Sequence, residues 1–224
     1  GTFDNMNVGT GKTVTISGLT LGGVSAGNYK IADSGNQTTT TANITAKALT
    51  VTAEAKTKVY GTADPALTYT SSGLVSGDGF TGALSRDAGA DVGTYAITQG
   101  TLTAGSNYSI TYTGAAFKIT QATPAVTGLA ARELTYNKTE QELITAGTTT
   151  GGTLKYAMTV KDAAAPSDDM YTTVIPTAMH AGDYTVYYKV VGNSNYFDVA
   201  PATVSVTIAQ KEITIAGITA ENKI

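Results

Sequence analysis

One short pattern returns along this chain and fixes the kind of fold available to it. Asp91-Val92-Gly93-Thr94-Tyr95 is followed by Asn107-Tyr108 and then by Ile119-Thr120. The same order recurs as His180-Ala181-Gly182-Asp183-Tyr184, Asn195-Tyr196 and Ile208-Ala209, and a shorter copy runs Asn7-Val8-Gly9-Thr10, Asn28-Tyr29 and Ile44-Thr45. Self-similarity at a long, regular step marks an array of like units, each closing its own small core. The closing residues Ile44, Ile119 and Ile208 are spaced at steps close to small sandwich modules of about 100 residues.

Each copy alternates with a period of two. Leu49, Val51 and Ala53 share one face, as do Tyr108, Ile110 and Tyr112; Tyr184, Val186, Tyr188 and Val190; and Val204, Val206 and Ile208. Side chains of a strand point to opposite faces in turn, so this pattern is that of half-buried strands. On it, Tyr184 and Tyr188 face inward and Tyr187 outward. Turn pairs such as Asp78-Gly79, Gly151-Gly152 and Gly192-Asn193 separate the runs. Only Thr139 to Ala146 has a helical look, and it is short. The expected fold is all-β: small Ig-like β-sandwich domains in a tandem, elongated array with almost no helix. Gly-Thr-Tyr at 93–95 and Gly-Asp-Tyr at 182–184 fit a corner tyrosine whose hydroxyl bonds back to nearby backbone, or simply a core tyrosine opening a strand.

Composition narrows the function classes. Charged residues are 14%, well under the roughly 25% usual for soluble domains. Thr, Gly and Ala fill the gap, and Tyr (13) outnumbers Phe (4), a bias that suits pleated surfaces and tight turns. The net charge of −3 and scattered basic residues give no stripe able to displace counterions, which argues against nucleic acid. No apolar run approaches the ~20 residues of a membrane span, so this segment is not read as membrane-inserted. With no cysteine, disulfides, thiolate metal sites and cysteine nucleophiles are excluded.

Units follow one another without a linker: Phe117-Lys118-Ile119-Thr120-Gln121 runs straight into Ala122-Thr123-Pro124. Lys47-Ala48-Leu49-Thr50-Val51 leads to Lys58-Val59-Tyr60-Gly61, Asp64-Pro65-Ala66-Leu67, Gly82-Ala83-Leu84-Ser85-Arg86, Val92-Gly93-Thr94-Tyr95 and Phe117-Lys118-Ile119-Thr120. That series closely resembles the MBG-type repeat of bacterial surface proteins. Residues 1–46 resemble the C-terminal half of the related YDG repeat, with Gly11 where the other copies have Tyr95 and Tyr184. Residues 122–210 look like a more distant Ig-like relative. The resulting division is 1–46 (half a YDG-like repeat), 47–121 (MBG-like), 122–210 (Ig-like) and 211–224 (the first strand of a following repeat, since Lys211-Glu212-Ile213-Thr214-Ile215 matches Lys47 to Val51). Gly1 falls inside a motif, so the sequence reads as an internal segment of a longer chain. Residues 1–46 are expected to form an incomplete sheet, covered by a tail such as Ile213–Ile224 of a neighbouring molecule in a swapped or head-to-tail contact.

Several motifs imitate chemistry. Gly9-Thr10-Gly11-Lys12-Thr13 suggests a phosphate loop, but Met6 stands where the leading glycine belongs, and Val14 to Ser17 reads as strand rather than helix; the segment reads as a turn. Gly23-Val24-Ser25-Ala26-Gly27 has the spacing of a nucleophile elbow, which needs a strand-to-helix turn with an acid and a histidine downstream. Here it is expected to pass from a strand into another strand at Asn28-Tyr29, and the sole histidine, His180, belongs to another unit. Asp168 and Asp169 form the best local carboxylate pair for calcium but lack the alternating pattern of a calcium loop. Glu133, Glu140 and Glu142 have no cleft signal to make them a glycosidase pair. No catalytic, cofactor-binding or metal residue is assigned, no cofactor is implied, and the chain does not read as an enzyme.

The resemblance implies a large secreted or wall-attached adhesin-like protein, located at a bacterial cell surface or outside the cell, in which these units are stalk and pack against neighbouring repeats of the same chain. The alternative is a module that binds glycan or a host surface protein through the insertion-like loop Lys161 to Tyr171, because loops on rigid scaffolds carry binding.

Overall fold

The computed structural model describes every residue except Asn222 and Ile224. The chain is all-β: strand makes up 44% of it and no helix reaches seven residues, so the two-residue period governs the architecture. The helical content consists of short 3-10 turns such as Ala26–Asn28 and Asp168–Met170. Contacts group the chain into two compact units. Unit one holds Gly1–Thr57, Asp64–Gly89 and Thr94–Lys118; unit two holds Lys58–Ala63, Ala90–Gly93 and the chain from Ile119 onward.

The first ten strands are β1 (Thr2–Phe3), β2 (Gly9–Thr15), β3 (Thr39–Ile44), β4 (Lys47–Ala53), β5 (Lys56–Val59), β6 (Tyr69–Ser72), β7 (Ser85–Arg86), β8 (Gly93–Thr98), β9 (Tyr108–Thr113) and β10 (Ala115–Thr120). They form three sheets, ordered β1-β2-β3, β6-β4-β9 and β5-β10-β8-β7. In the second of these β4 pairs antiparallel with β6 and parallel with β9, Lys47 opposite Tyr108 and Leu49 opposite Ile110. The alternation of β4 turns Leu49, Val51 and Ala53 inward at 1%, 0% and 6% exposure. Ile97 and Phe117 are buried to the same degree, each worth roughly 1.5–3 kcal/mol of apolar transfer.

The sheet of residues 1–46 is different. Among its described residues none is buried, and Phe3, Leu19, Leu21 and Val24 are exposed, as expected of a sheet lacking its second layer. Two local expectations are corrected here. Residues 9–15 are a strand with a bulge rather than a turn: the register to β3 shifts between Gly9 and Lys12. Gly11 supplies the bulge with φ +59°, a left-handed conformation that glycine adopts without a side-chain clash, while its N–H donates to Asn43 Oδ1 at 2.8 Å. Residues 28–32 form no strand. Their counterpart β9 is held by parallel pairing with β4, and no such strand precedes residue 28.

Unit two continues with β11 (Val126–Thr127), β12 (Ala130–Ala131), β13 (Leu134–Thr135), β14 (Gln141–Glu142), β15 (Ile144–Thr145), β16 (Thr148–Thr149), β17 (Thr153–Val160), β18 (Thr177–Ala178), β19 (Gly182–Val191) and β20 (Val199–Ala209). The main sheet has the order β13-β20-β19-β17, and two-residue pairs β11-β16, β12-β15 and β14-β18 lie outside it. The segment expected to look helical, Thr139 to Ala146, contains β14 and β15. Tyr184, Val186, Val206 and Ile208 from the main sheet pack with Leu143, Ile144, Tyr156 and Ala178 to form the core. Tyr184 Oη donates to the His180 carbonyl at 2.8 Å, the bond expected of a corner tyrosine. Lys211 to Glu221, the described part of the tail apart from Lys223, forms no strand, where the sequence suggests a first strand over 211–224; no partner strand pairs with it. Asn222 and Ile224 of that expectation lie outside the described residues.

Candidate functional site

The side chains that recur with the repeat come together in the same geometry twice. In unit one the Asn107 carboxamide accepts a hydrogen bond from the Val8 N–H at 2.8 Å and donates to Asn7 Oδ1 at 3.1 Å. In unit two the Asn195 carboxamide accepts from the Val92 N–H at 2.9 Å and donates to Asp91 Oδ1 at 2.8 Å. Each asparagine also accepts at its backbone carbonyl the N–H that opens its repeat, Lys47 at 2.9 Å and Ala122 at 3.0 Å. A carboxamide carries one acceptor oxygen and one donor NH2, so a single asparagine bonds both the backbone N–H and the neighbouring side chain of the Asn/Asp-Val-Gly loop.

The local sequence presents each asparagine identically. A turn precedes every Asn-Tyr pair: Tyr108 N–H donates to the Gly105 carbonyl at 3.2 Å, Tyr196 to Asn193 at 3.3 Å and Tyr29 to Ala26 at 3.2 Å. The tyrosines that follow are held as well. Tyr108 Oη donates to the Asp78 carboxylate and accepts from the Val75 N–H at 3.1 Å. The bond to Asp78, then desolvation, raises the Tyr108 pKa. The Tyr196 ring meets Tyr60 edge-on, centroids 5.4 Å apart, and Gly151 lies against it so closely that a Cβ there would come within 2.2 Å of the ring.

Arg86 organises a second cluster inside unit one. Its guanidinium lies over the rings of Phe117 and Tyr95 at 4.7 and 5.3 Å. It donates to Asp64 Oδ2 at 2.7 Å and to the Asp87 and Gly89 carbonyls at 2.8 and 2.9 Å. These bonds satisfy it within the fold, giving it a structural role.

The residues weighed for chemistry in the sequence are dispersed. Glu133, Glu140 and Glu142 are exposed, and Glu142 pairs with Arg132 at 2.7 Å. His180 is exposed and serves through its carbonyl. Ser25 precedes a 3-10 turn with no strand before it. Asp168 pairs with Lys189 at 2.6 Å, while Asp169 accepts from Ser167 Oγ. Among the described residues no three His, Asp or Glu side chains gather as a metal would require. The 161–171 loop is exposed for most of its length, but Tyr171 is buried with Lys189 stacked on its ring at 4.4 Å. That packing corrects the placement of Tyr187 on an open face: it is half-buried.

Small all-β repeats carrying one recurring asparagine contact define a tandem β-repeat protein. Residues 49–118 match the MBG domain (YGX type), and residues 1–41 match the YDG domain; the chain carries MBG- and YDG-type repeats. No curated protein matches the chain. Repeats of these types are generally extracellular and point to a surface-type protein. Among the described residues no helix is long and apolar enough to cross a membrane.

The asparagines 107 and 195 were legible only as repeat marks. Their role as contact residues follows from the Asn-Tyr and Asn/Asp-Val-Gly marks recurring together, but matching the two needs the register between successive repeats, which one sequence does not display.

Proposed function

We propose that this segment is a structural stalk or spacer within a large adhesin-like protein of a bacterial surface, holding a distal domain away from its anchor and catalysing no reaction. The observation that carries the reading is the repeated asparagine contact. The polar side chains marking each repeat are engaged with the neighbouring repeat's backbone rather than turned toward a common cleft. Linker-free succession adds to this, since the shortness and composition of a linker set how far neighbours rotate. Low charge and Thr-rich strands suit a passive role.

A second reading has one observation in its favour. The Lys161 to Tyr171 loop is exposed yet anchored by Tyr171 and by the Lys189–Asp168 pair, the combination that suits loop-borne recognition of glycan or host protein. A glycan array and a panel of matrix proteins separate the two. The spacer reading expects no saturable binding, and binding abolished by replacing the Lys161–Tyr171 loop would overturn it.

A further inference from the structure

Residues at the two ends of the chain carry the two halves of a third joint. At each joint described above, an Asn-Tyr turn faces two things: the N–H of the residue before a Gly, and the N–H that opens a strand after the preceding repeat closes. Val8 and Lys47 play these parts for Asn107, as Val92 and Ala122 do for Asn195. The third repeat offers the same two groups at Ala181 in His180-Ala181-Gly182 and at Lys211 after β20 ends. The first repeat offers an Asn-Tyr turn at Asn28-Tyr29, already closed by the Tyr29–Ala26 bond. Neither half forms a strand by itself, and both are apolar and exposed: Ile213 at 82% and Ile215 at 74% on one side, Tyr29 at 71% on the other.

We propose that a second copy of this chain completes the joint, its Asn28-Tyr29-Lys30-Ile31 pairing in parallel with Lys211-Glu212-Ile213 of the first, so that copies associate head to tail. The β4·β9 register is the template, with Lys47 opposite Tyr108, Ala48 opposite Ser109 and Leu49 opposite Ile110. Transferred by the sequence match, it places Lys211 opposite Tyr29, Glu212 opposite Lys30 and Ile213 opposite Ile31. The match is complementary, an opposite-charge pair beside an aliphatic pair, and such cross-strand pairs are what stabilise a sheet edge. The Asn28 carboxamide then takes the Ala181 N–H and the Asn28 carbonyl takes the Lys211 N–H. A contact made by different patches on the two copies is heterologous and extends into longer oligomers unless it closes as a ring.

The absence of native cysteine makes a direct test available. In the chain carrying Lys30→Cys and Glu212→Cys, paired positions lie within disulfide reach, and mild oxidation gives a ladder of dimer, trimer and higher species on a non-reducing gel, whereas either single variant stops at dimer. Sedimentation equilibrium of the parent chain gives an average mass that climbs above 22.8 kDa with concentration. Asn28→Ala weakens that association about tenfold, from its two lost hydrogen bonds, and Ile213→Asp abolishes it. All four positions are exposed, so thermal unfolding of the variants stays that of the parent and reports a folded chain. A mass fixed at 22.8 kDa up to about 1 mM with no ladder overturns the proposal. So does a disulfide that forms only within one chain, which would make the tail its own partner.

Discussion

Asn195 and Asp91 are joined by a hydrogen bond from Asn195 Nδ2 to Asp91 Oδ1 at 2.8 Å, across 104 positions of sequence. Asn107 and Asn7 stand in the same relation at 3.1 Å. The acceptor is a carboxylate in one and a carboxamide in the other, and that difference separates the two joints experimentally.

Asn195→Asp sets two carboxylates against each other and removes the donor. We expect a loss of about 1–2 kcal/mol in urea unfolding at neutral pH. Asn107→Asp costs less, because the Asn7 amide reverses and donates. The repulsion raises the folded-state pKa of the introduced acid, so the folded variant binds protons more readily than the unfolded one. Its deficit is therefore present at neutral pH and shrinks as pH falls toward the ordinary aspartate value of about 4.

Arg86→Ala removes a half-buried cation from between Phe117 and Tyr95 and leaves the Asp64 carboxylate and the Asp87 and Gly89 carbonyls without this donor. A loss of about 2–4 kcal/mol is expected in unfolding of the chain. Arg86→Lys recovers only part of it, since an ammonium does not reproduce the planar fork.

Tyr108 is predicted to ionise above its ordinary value, chiefly through its bond to Asp78 and secondarily through desolvation. Because the folded pKa is raised, the stabilisation is fully present below the unfolded value of about 10 and is lost as pH rises through the folded one. Ultraviolet titration of Asp78→Ala moves one tyrosine to lower pH; an unchanged curve contradicts the assignment.

Gly151→Ala introduces a Cβ into the space of the Tyr196 ring. Displacement of the ring breaks its edge-on contact with Tyr60, and a cost of about 1–3 kcal/mol is expected, read by unfolding and by altered ring resonances of Tyr60.

The face-to-face logic of the strands was legible because alternation is local. Leu49, Val51 and Ala53 are buried where the period puts them, and Tyr184 bonds back to His180. What escaped were features set by remote partners. Residues 28–32 have a strand's composition, yet the pairing that makes β9 a strand comes from β4, far away in sequence. Gly11 looked like a turn residue because a bulge and a turn ask the same backbone freedom of it. Tyr187 was placed outward by period alone, without the packing of Tyr171 and Lys189. The asparagines were recognised as recurring but not as joints, since their partners lie about 100 positions away.

Amide hydrogen exchange at Val92 tests the joint most directly. The account predicts a Val92 N–H protected in the parent chain and exchanging about tenfold faster in Asn195→Ala, with the buried Ile97 amide unchanged. A Val92 amide that exchanges as an open loop does in the parent, and no faster in Asn195→Ala, would contradict it.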